Sequence, residues 1–371
     1  MASIKEKVHN SIPEDMVFNI LSKLPVKSLK RFKCVRKSWA NLFENTQFMK
    51  LYRNNLLPNY DSNGNDSCLF LNQSMPNNFC SSNLLMLYDE MFRSKVKLEW
   101  PSPFPDNNLI SIVGSFVNGM LCLCQGGDSG RAPEIGKKIV FWNPTTRDFK
   151  VIPPVSIDCP LGVTISVGIH GFGYDLVTDD YKLIQCFHFV RGWSPQDDGP
   201  IIPKHLWQMY SLRSNSWRKI DCEISNRWSF DGVYLNGVCH WWGFKEVLVL
   251  VSFNLSDEMF HTTPIYYNDF YELCRMTLMV LNYSVAMITM HASMTFFDIS
   301  TLGEVGVKES WTKLFTIGPL PCGIARPIRV WKNGDMLLIR KKDNELVWFH
   351  SSTQLVEDLG VKVRRRCQLV R

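Results

Sequence analysis

IPEDMVFNILSKLPVKSLKRFKCVRKSWANLF, residues 12–43, carries three short apolar stripes at helical spacing within a basic surround. Pro13 suits the first position of a helix, where its missing N–H leaves no gap, and Glu14 and Asp15 meet the positive end of the helix dipole. Val17, Ile20, Leu21 and Leu24 then fall at i, i+3, i+4 and i+7, the spacing of one buried face. Pro25 cannot continue that helix and stands where the next begins, followed by Val26. Leu29, Phe32 and Val35 line the second stripe, among Lys27, Lys30, Arg31 and Lys33. Trp39, Leu42 and Phe43 form the third, and Asn45 or Thr46 is placed to cap a further turn carrying Phe48, Met49 and Tyr52. Helices of about ten residues are marginal alone in water, so these must pack on one another or on a partner.

From about residue 67 the helical period gives way to short strand-like runs. Between the two regimes lies LPNYDSNGNDS (57–67), a linker or exposed loop by composition. Beyond it, an Asn-Gly pair recurs between apolar runs: FVNGMLCLC (116–124), YLNGVCHWW (234–242) and VWKNGDMLLI (330–339). Both residue types tolerate positive φ, so each reads as a tight hairpin turn. A second pattern, an aromatic-rich strand followed by a polar turn and another strand, appears as FWNPTTRDFKVIPP (141–154), MYSLRSNSWRKI (209–220) and VSFNLSDEMFHTTP (251–264). It recurs more loosely at 296–315 and 347–359. Its anchors Phe141, Tyr210, Phe253, Phe297 and Phe349 are 69, 43, 44 and 52 positions apart. Strands recurring every 40–50 residues or so are the signature of propeller blades. With residues 68–100 as a divergent first blade, about six blades fit the length. The N-terminal strands would pair with the C-terminal segment to close the ring. A two-sheet β-sandwich is the alternative architecture.

The run Ile12-Pro13-Glu14, Ile20-Leu21, Leu24-Pro25, Leu29, Arg31-Phe32, Val35, Lys37, Trp39 and Leu42 resembles the F-box. RFKCVRKSW is similar to the F-box of plant proteins that carry an F-box-associated interaction domain, a family that includes the S-locus F-box proteins. GFGYDLVTDDYKLI (171–184), beside FWNPTTRDFKVIPP, resembles that associated, kelch-like domain, although the double glycine of kelch repeats is missing. The resemblance implies an α+β multidomain chain: residues 1–11 a disordered N-terminus, 12–55 a helical F-box, 56–66 a linker, 67–361 an all-β, kelch-like propeller and 362–371 a basic tail. It further implies that Pro13, Ile20, Leu21, Leu24, Pro25, Val26, Leu29, Phe32, Val35 and Trp39 dock a Skp-type adaptor, and through it a cullin–RING ubiquitin ligase. The β-domain would then hold a protein client for ubiquitination. Ile20, Phe32 and Trp39 serve equally well as the core of an ordinary three-helix cap, since core and interface overlap in so small a module.

Charge supports a protein partner. Residues 1–55 hold eleven Lys/Arg against four Asp/Glu, while the remainder carries 30 against 31. The basicity therefore belongs to the helical segment, where it favours an acidic partner, and the near-neutral body argues against nucleic acid. Residues 1–11 are polar and lack the apolar region of a signal peptide, and no apolar run is long enough to span a bilayer. The reading is a cytoplasmic and/or nuclear protein without a membrane partner, its twelve cysteines buried thiols rather than disulfides.

No catalytic residue, metal site or cofactor is expected: there is no Cys-x-x-Cys pair, His-Glu-x-x-His or phosphate-binding glycine loop. Cys122 and Cys124 share a face if they lie on one strand, and Cys239 adjoins His240, but zinc binding would need two unrelated segments to converge. His170, His188 and His291 sit among apolar neighbours and read as core or loop residues, and Asp179-Asp180 as turn residues. Client contacts are sought at Arg191 and Trp193 in the loop FVRGWSPQDDGPIIPK (189–204), which combines aromatic, charged and proline residues. Trp241 and Trp242 follow a hairpin and either fill the space between blades or line a pocket. The competing functional classes are a propeller enzyme with a helical cap and a protein-interaction module outside any ligase.

Overall fold

The computed structural model describes residues 14–24, 26–32, 34–41, 48, 69–74, 82–88, 92–104, 110–126, 129–130, 137–155, 157, 163–191, 205–222, 224, 232–244, 246–265, 276–291, 296–320, 323–331, 333–340, 342–362 and 368–370. The chain forms two compact units, residues 1–66 and 67–371. The expected disordered N-terminus, 1–11, and linker, 56–66, lie outside the described residues.

The first unit contains three short helices, α1 (Glu14–Leu21), α2 (Val26–Phe32) and α3 (Lys37–Asn41). Leu21, Leu29 and Phe48 are its buried centre, with Val17, Phe18, Leu24, Phe32 and Trp39 packed around them. Phe18 meets Phe48 edge-on at 5.4 Å between centroids, and Phe32 meets Trp39 likewise at 5.6 Å, an orientation that aromatic quadrupoles favour.

The second unit is a six-bladed propeller. Blade 1 joins β1 (Leu69–Ser74), β2 (Ser82–Tyr88) and β3 (Ser94–Leu98) to the last strand of the chain. Blade 2 comprises β4 (Ile110–Val117), β5 (Met120–Gln125), β7 (Lys138–Trp142) and β8 (Phe149–Val151). Blade 3 is built on a long hairpin, β9 (Val163–Asp175) and β10 (Asp180–Arg191), continued by β11 (His205–Ser211) and β12 (Ser216–Ile220); a two-residue strand, β6 (Ser129–Gly130), pairs with β9. Blade 4 has β13 (Val233–Leu235), β14 (Val238–Phe244), β15 (Leu248–Asn254) and β16 (Phe260–Pro264). Blade 5 has β17 (Met276–Leu281), β18 (Ser284–Met290), β19 (Phe297–Leu302) and β20 (Trp311–Ile317). Blade 6 has β21 (Ile324–Val330), β22 (Met336–Arg340), β23 (Glu345–His350) and β24 (Leu355–Lys362), after which β25 (Gln368–Val370) returns to blade 1. The sandwich alternative fails because each of these sheets packs against its two neighbours in a ring.

Both faces of a blade are covered, so the inner strands bury nearly every residue instead of alternating. Leu121–Cys124, Ile139–Trp142 and Leu248–Phe253 are buried throughout. Six apolar clusters fill the interfaces in turn. Phe70 and Leu84 meet Ile112 and Trp142, Phe141 meets Phe172 and Tyr210, and Ile184 and Trp207 meet Trp241 and Phe253. Trp242 and Leu250 then meet Met276 and Met287, Ile288 and Phe297 meet Leu338 and Phe349, and Leu337 and Trp348 meet Leu69 and Leu87. The last cluster joins blade 6 to blade 1 and completes the circle. All five aromatic anchors lie on the third strand of their blades, and each is fully buried.

Two of the Asn-Gly pairs form the expected tight turns between first and second strands, with φ of 47° and 82° at Asn118-Gly119 and 48° and 86° at Asn236-Gly237. The third, Asn333-Gly334, sits in a wider turn in which Trp331 and Asp335 pair across the mouth and Asn333 Oδ1 accepts the Asp335 N–H. Its extra residues leave no need for positive φ at Asn333, and Gly334 alone adopts it, at 84°.

Residues 363–367 and 371 of the expected basic tail lie outside the described residues, and the described remainder joins the sheets as the expected ring closure requires. Lys362 ends β24, and Gln368, Leu369 and Val370 pair antiparallel with Asn72, Leu71 and Phe70. The unpaired edge of β1 supplies the reason, since a free edge is a template that a closed ring removes. Ending the chain at residue 367 deletes this strand and a few ladder bonds worth about 1 kcal/mol each. The expected result is a loss of about 1–3 kcal/mol in urea unfolding, with self-association through the exposed edge visible by light scattering.

Candidate functional site

The helical unit sorts the expected adaptor-contact residues by exposure. Leu21 and Leu29 are interior, and Leu24, Phe32 and Trp39 are half-buried against them. Ile20 and Val35 are 54% and 65% exposed, far above what an apolar core position shows. Pro13 and Pro25 lie outside the described residues, as does the side chain of Val26. Met16, 59% exposed on α1, is a further outward-facing apolar residue one turn before Ile20, and it lies outside the i, i+3, i+4, i+7 set that the spacing picked out. Lys23, Arg31, Arg36 and Lys37 are exposed in the same unit. Such a module, with apolar and basic groups presented together, has the chemistry of a docking surface for an apolar, acidic partner.

The propeller's antiparallel order fixes its two faces. Turns between first and second and between third and fourth strands leave one face; connections between second and third strands, and between blades, leave the other. The connection from β10 to β11 contains the expected client loop. Trp193 lies outside the described residues, and Arg191 ends β10 with its side chain likewise outside them.

Trp241 and Trp242, sought as client contacts, are 0% and 2% exposed. Adjacent strand residues point to opposite faces, and here each face meets another blade. Trp241 packs with Cys186 and Trp207 of blade 3, whereas Trp242 packs with Met276, Leu278 and Met287 of blade 5. They wedge three blades together and present no surface to a partner.

The GFGYDLVTDDYKLI stretch is the β9–β10 hairpin, and its polar residues fasten blade 3 to blade 4. Lys182 Nζ donates to Asp175 Oδ2 at 2.9 Å, to the Leu255 carbonyl at 2.6 Å and to Glu258 Oε1 at 3.2 Å. Asp175 also accepts from Val177 N, from Thr178 through both its N–H and its hydroxyl, and from Ser256 Oγ at 2.6 Å. Burial pushes the Asp175 carboxyl up, but the hydrogen bonds from Lys182, Ser256, Thr178 and Val177 outweigh it and hold the group well below the usual carboxylate range. Arg218 bridges to the same Glu258. Tyr181 OH donates to the Asn118 carbonyl of blade 2, and Tyr234 OH of blade 4 donates to the Tyr174 carbonyl. Asp180 accepts from Ser211 Oγ and Arg213 N, a turn-fixing role, while Asp179 takes a φ of 54°.

Cys122 and Cys124 do share a face, in the cluster between blades 2 and 3. Burial, then the neighbouring Cys124, raises the Cys122 thiol well above its ordinary value. His240 Nδ1 lies 2.8 Å from Ser252 Oγ, and burial lowers the imidazole to about 4. His291 is a loop residue paired with Asp298 at 2.9 Å. Among the described residues, His170, Cys186 and His188 bring three potential ligand atoms within 4.8 Å of one another, all buried. Burial, followed by the proximity of His188 and Lys137, lowers His170 to about 3, so it is neutral at physiological pH. Burial likewise raises the Cys186 thiol far above its ordinary value. This convergence was not expected from the sequence.

An F-box domain model matches residues 10–51 and an F-box associated beta propeller domain model matches residues 74–362. The chain belongs to the F-box proteins that carry an F-box associated beta propeller domain. Among its relatives, F-box protein CPR1 of Arabidopsis thaliana is 24% identical over 95% of this chain and 85% of its own length. The F-box/kelch-repeat protein At3g23880 of the same plant is 26% identical over 93% of this chain and 88% of its own. Among solved structures, TolB from Acinetobacter baumannii is similar at a TM-score of 0.47 and 8% identity, covering 86% of this chain and 70% of its own.

Proposed function

We propose that this chain is the substrate-recognition subunit of a Skp–cullin–F-box ubiquitin ligase. The carrying observation is an F-box match over residues 10–51 whose described part exposes the apolar Met16, Ile20 and Val35 and the basic Lys23, Arg31, Arg36 and Lys37. The basic surround suits the acidic Skp-type adaptor, which would link the chain to a cullin–RING enzyme. The propeller would hold a protein client, with the face bearing the β10–β11 connection as the first place to look. In this reading the chain is a non-catalytic adaptor that acts in the cytoplasm and/or nucleus. Its contribution is proximity, raising the effective concentration of client lysines at the charged ubiquitin-conjugating enzyme.

Co-purification of the full chain with a Skp-type adaptor tests this reading. Ile20→Asp combined with Val35→Asp places charges on the exposed apolar display without touching Leu21, Leu29 or Phe48. The expected outcome is at least a tenfold or so loss of adaptor affinity with unchanged circular dichroism. Undiminished binding of the double variant would sink the assignment of this surface, and failure of the unaltered chain to bind would sink the ligase reading itself.

A further inference from the structure

The buried cluster in blade 3 shares no residue with the helical unit or with the Lys182–Asp175 clamp. His170 comes from β9, whereas Cys186 and His188 stand two residues apart on β10 and therefore share a face. The strand register explains how His170 joins them. Gly168 lies opposite Cys186 and Ile169 opposite Gln185, but Gly171 lies opposite Ile184, so His170 is the extra residue of a β-bulge. The bulge gives β9 one more residue than β10 there and turns the imidazole toward the Cys186 side. Gly168 leaves the room: a Cβ at that position would come within 2.7 Å of His170 Nε2.

We propose that His170, Cys186 and His188 form a buried site for one zinc-class divalent cation. Two imidazoles and a thiolate are the donor set that zinc takes in tetrahedral sites, at about 2.0–2.1 Å from nitrogen and 2.3 Å from sulfur. Donors around one such ion are about 3.3–3.6 Å apart. The three atoms, already within 4.8 Å, thus need side-chain movements on the order of 1 Å. His205 supplies an independent pointer. It lies directly opposite His188 on β11, and its Nε2 is 3.0 Å from the Cys222 carbonyl. A carbonyl can only accept, so Nε2 donates, and in the neutral ring that leaves the lone pair on Nδ1. That Nδ1 is buried and has no hydrogen-bond partner among the described residues. An imidazole anchored by a backbone carbonyl through one nitrogen, with the other nitrogen bare, has the arrangement of metal-ligating histidines. The register sets it beside His188, though outside the 4.8 Å grouping of the other three, so it would have to swing inward to serve as a fourth ligand.

Binding converts the Cys186 S–H to a thiolate–metal bond and releases one proton to solvent for each ion bound. The ion would tie β9 across its bulge to β10 and β11, a structural staple that does not depend on the ubiquitin-ligase reading.

The test uses the full chain stripped with a chelator and titrated with Co²⁺, whose spectrum reports ligand type and geometry. Saturation at one equivalent, a thiolate-to-cobalt charge-transfer band, tetrahedral d–d bands, displacement by Zn²⁺ and one proton released per ion are expected. Cys186→Ser should abolish the charge-transfer band and weaken binding at least about tenfold. Cys239→Ser, a buried thiol on β14 outside the cluster, should keep the band. His188→Gln serves if the serine variant does not fold: it should retain the thiolate band and lose at least about tenfold in affinity. No saturable binding by the native chain, a band that survives Cys186→Ser, or native affinity in His188→Gln would overturn the site.

Discussion

Asp175→Ala is expected to destabilise the propeller by about 3–5 kcal/mol, the cost of leaving a buried charge without its partner. Asp175 is 0% and Lys182 5% exposed, and their contact is a 2.9 Å hydrogen-bonded ion pair. Removing the carboxylate leaves the Lys182 ammonium held by the Leu255 carbonyl and the partly exposed Glu258 alone. It also strips acceptors from Val177 N, Thr178 and Ser256. Because Ser256, Leu255 and Glu258 belong to the β15–β16 turn, the loss falls on the joint between blades 3 and 4 and not on one hairpin. Urea unfolding followed by tryptophan fluorescence should show the midpoint collapse. Asp175→Leu combined with Lys182→Met should recover part of the loss, since two apolar groups replace an ion pair with less penalty than one orphaned charge. A double variant as unstable as the sum of the singles would refute the coupling.

The same carboxyl gives the stability a pH dependence of known sign. Its folded value lies below that of an unfolded Asp, so the unfolded chain binds the proton first as pH falls. The contribution is complete above the unfolded value, about 3.9, and is lost progressively as pH drops below it. Asp175→Asn should flatten that acid limb while lowering stability at neutral pH. An acid limb of unchanged steepness in the Asn variant would assign it to other carboxylates.

The sequence revealed repeated features more readily than paired ones. The aromatic anchors announced the blades because one buried ring per third strand is a local demand that each segment meets alone. The 69-residue gap between Phe141 and Tyr210 is accounted for by the long β9–β10 hairpin together with the connection that follows it. Asn-Gly marked only part of the first turns: in blade 5, Asn282 and Tyr283 take φ of 51° and 59° without any glycine, because the surrounding ladder imposes the turn. The pairing of the N-terminal strands with the C-terminal segment was legible from the need to close the ring, but not which residues would do it, since Gln368–Val370 gains its identity as a strand only from the free edge of β1. The His170 convergence was invisible for a related reason. Alternation counted along β9 is broken by the bulge, and no spacing rule predicts where one residue will be left over. In the helical unit the apolar stripes were legible, but the division between buried Leu29 and exposed Val35 depends on packing that the stripe does not encode.

Trp241→Ala should cost about 3–5 kcal/mol, whereas Trp241→Phe should cost less than about 1.5 kcal/mol. The contrast separates a core wedge from a contact held for a partner. The indole sits between Trp207 at 5.9 Å and Phe260 at 6.2 Å, with His170 at 5.8 Å, so truncation to alanine opens a cavity walled by rigid rings. Those neighbours belong to two blades and cannot collapse inward without bending a sheet. Phenylalanine gives up part of the packed area but also removes a liability: Trp241 Nε1 is buried without a hydrogen-bond partner among the described residues. Relief of that unsatisfied donor offsets some of the lost contact. A surface aromatic kept for recognition would behave in the opposite way, tolerating alanine in unfolding experiments while losing partner affinity. Equal stability of the Ala variant and the native chain would therefore return Trp241 to the list of contact residues. The expected result places it among the structural members of the ring, leaving client recognition to side chains at the propeller's faces.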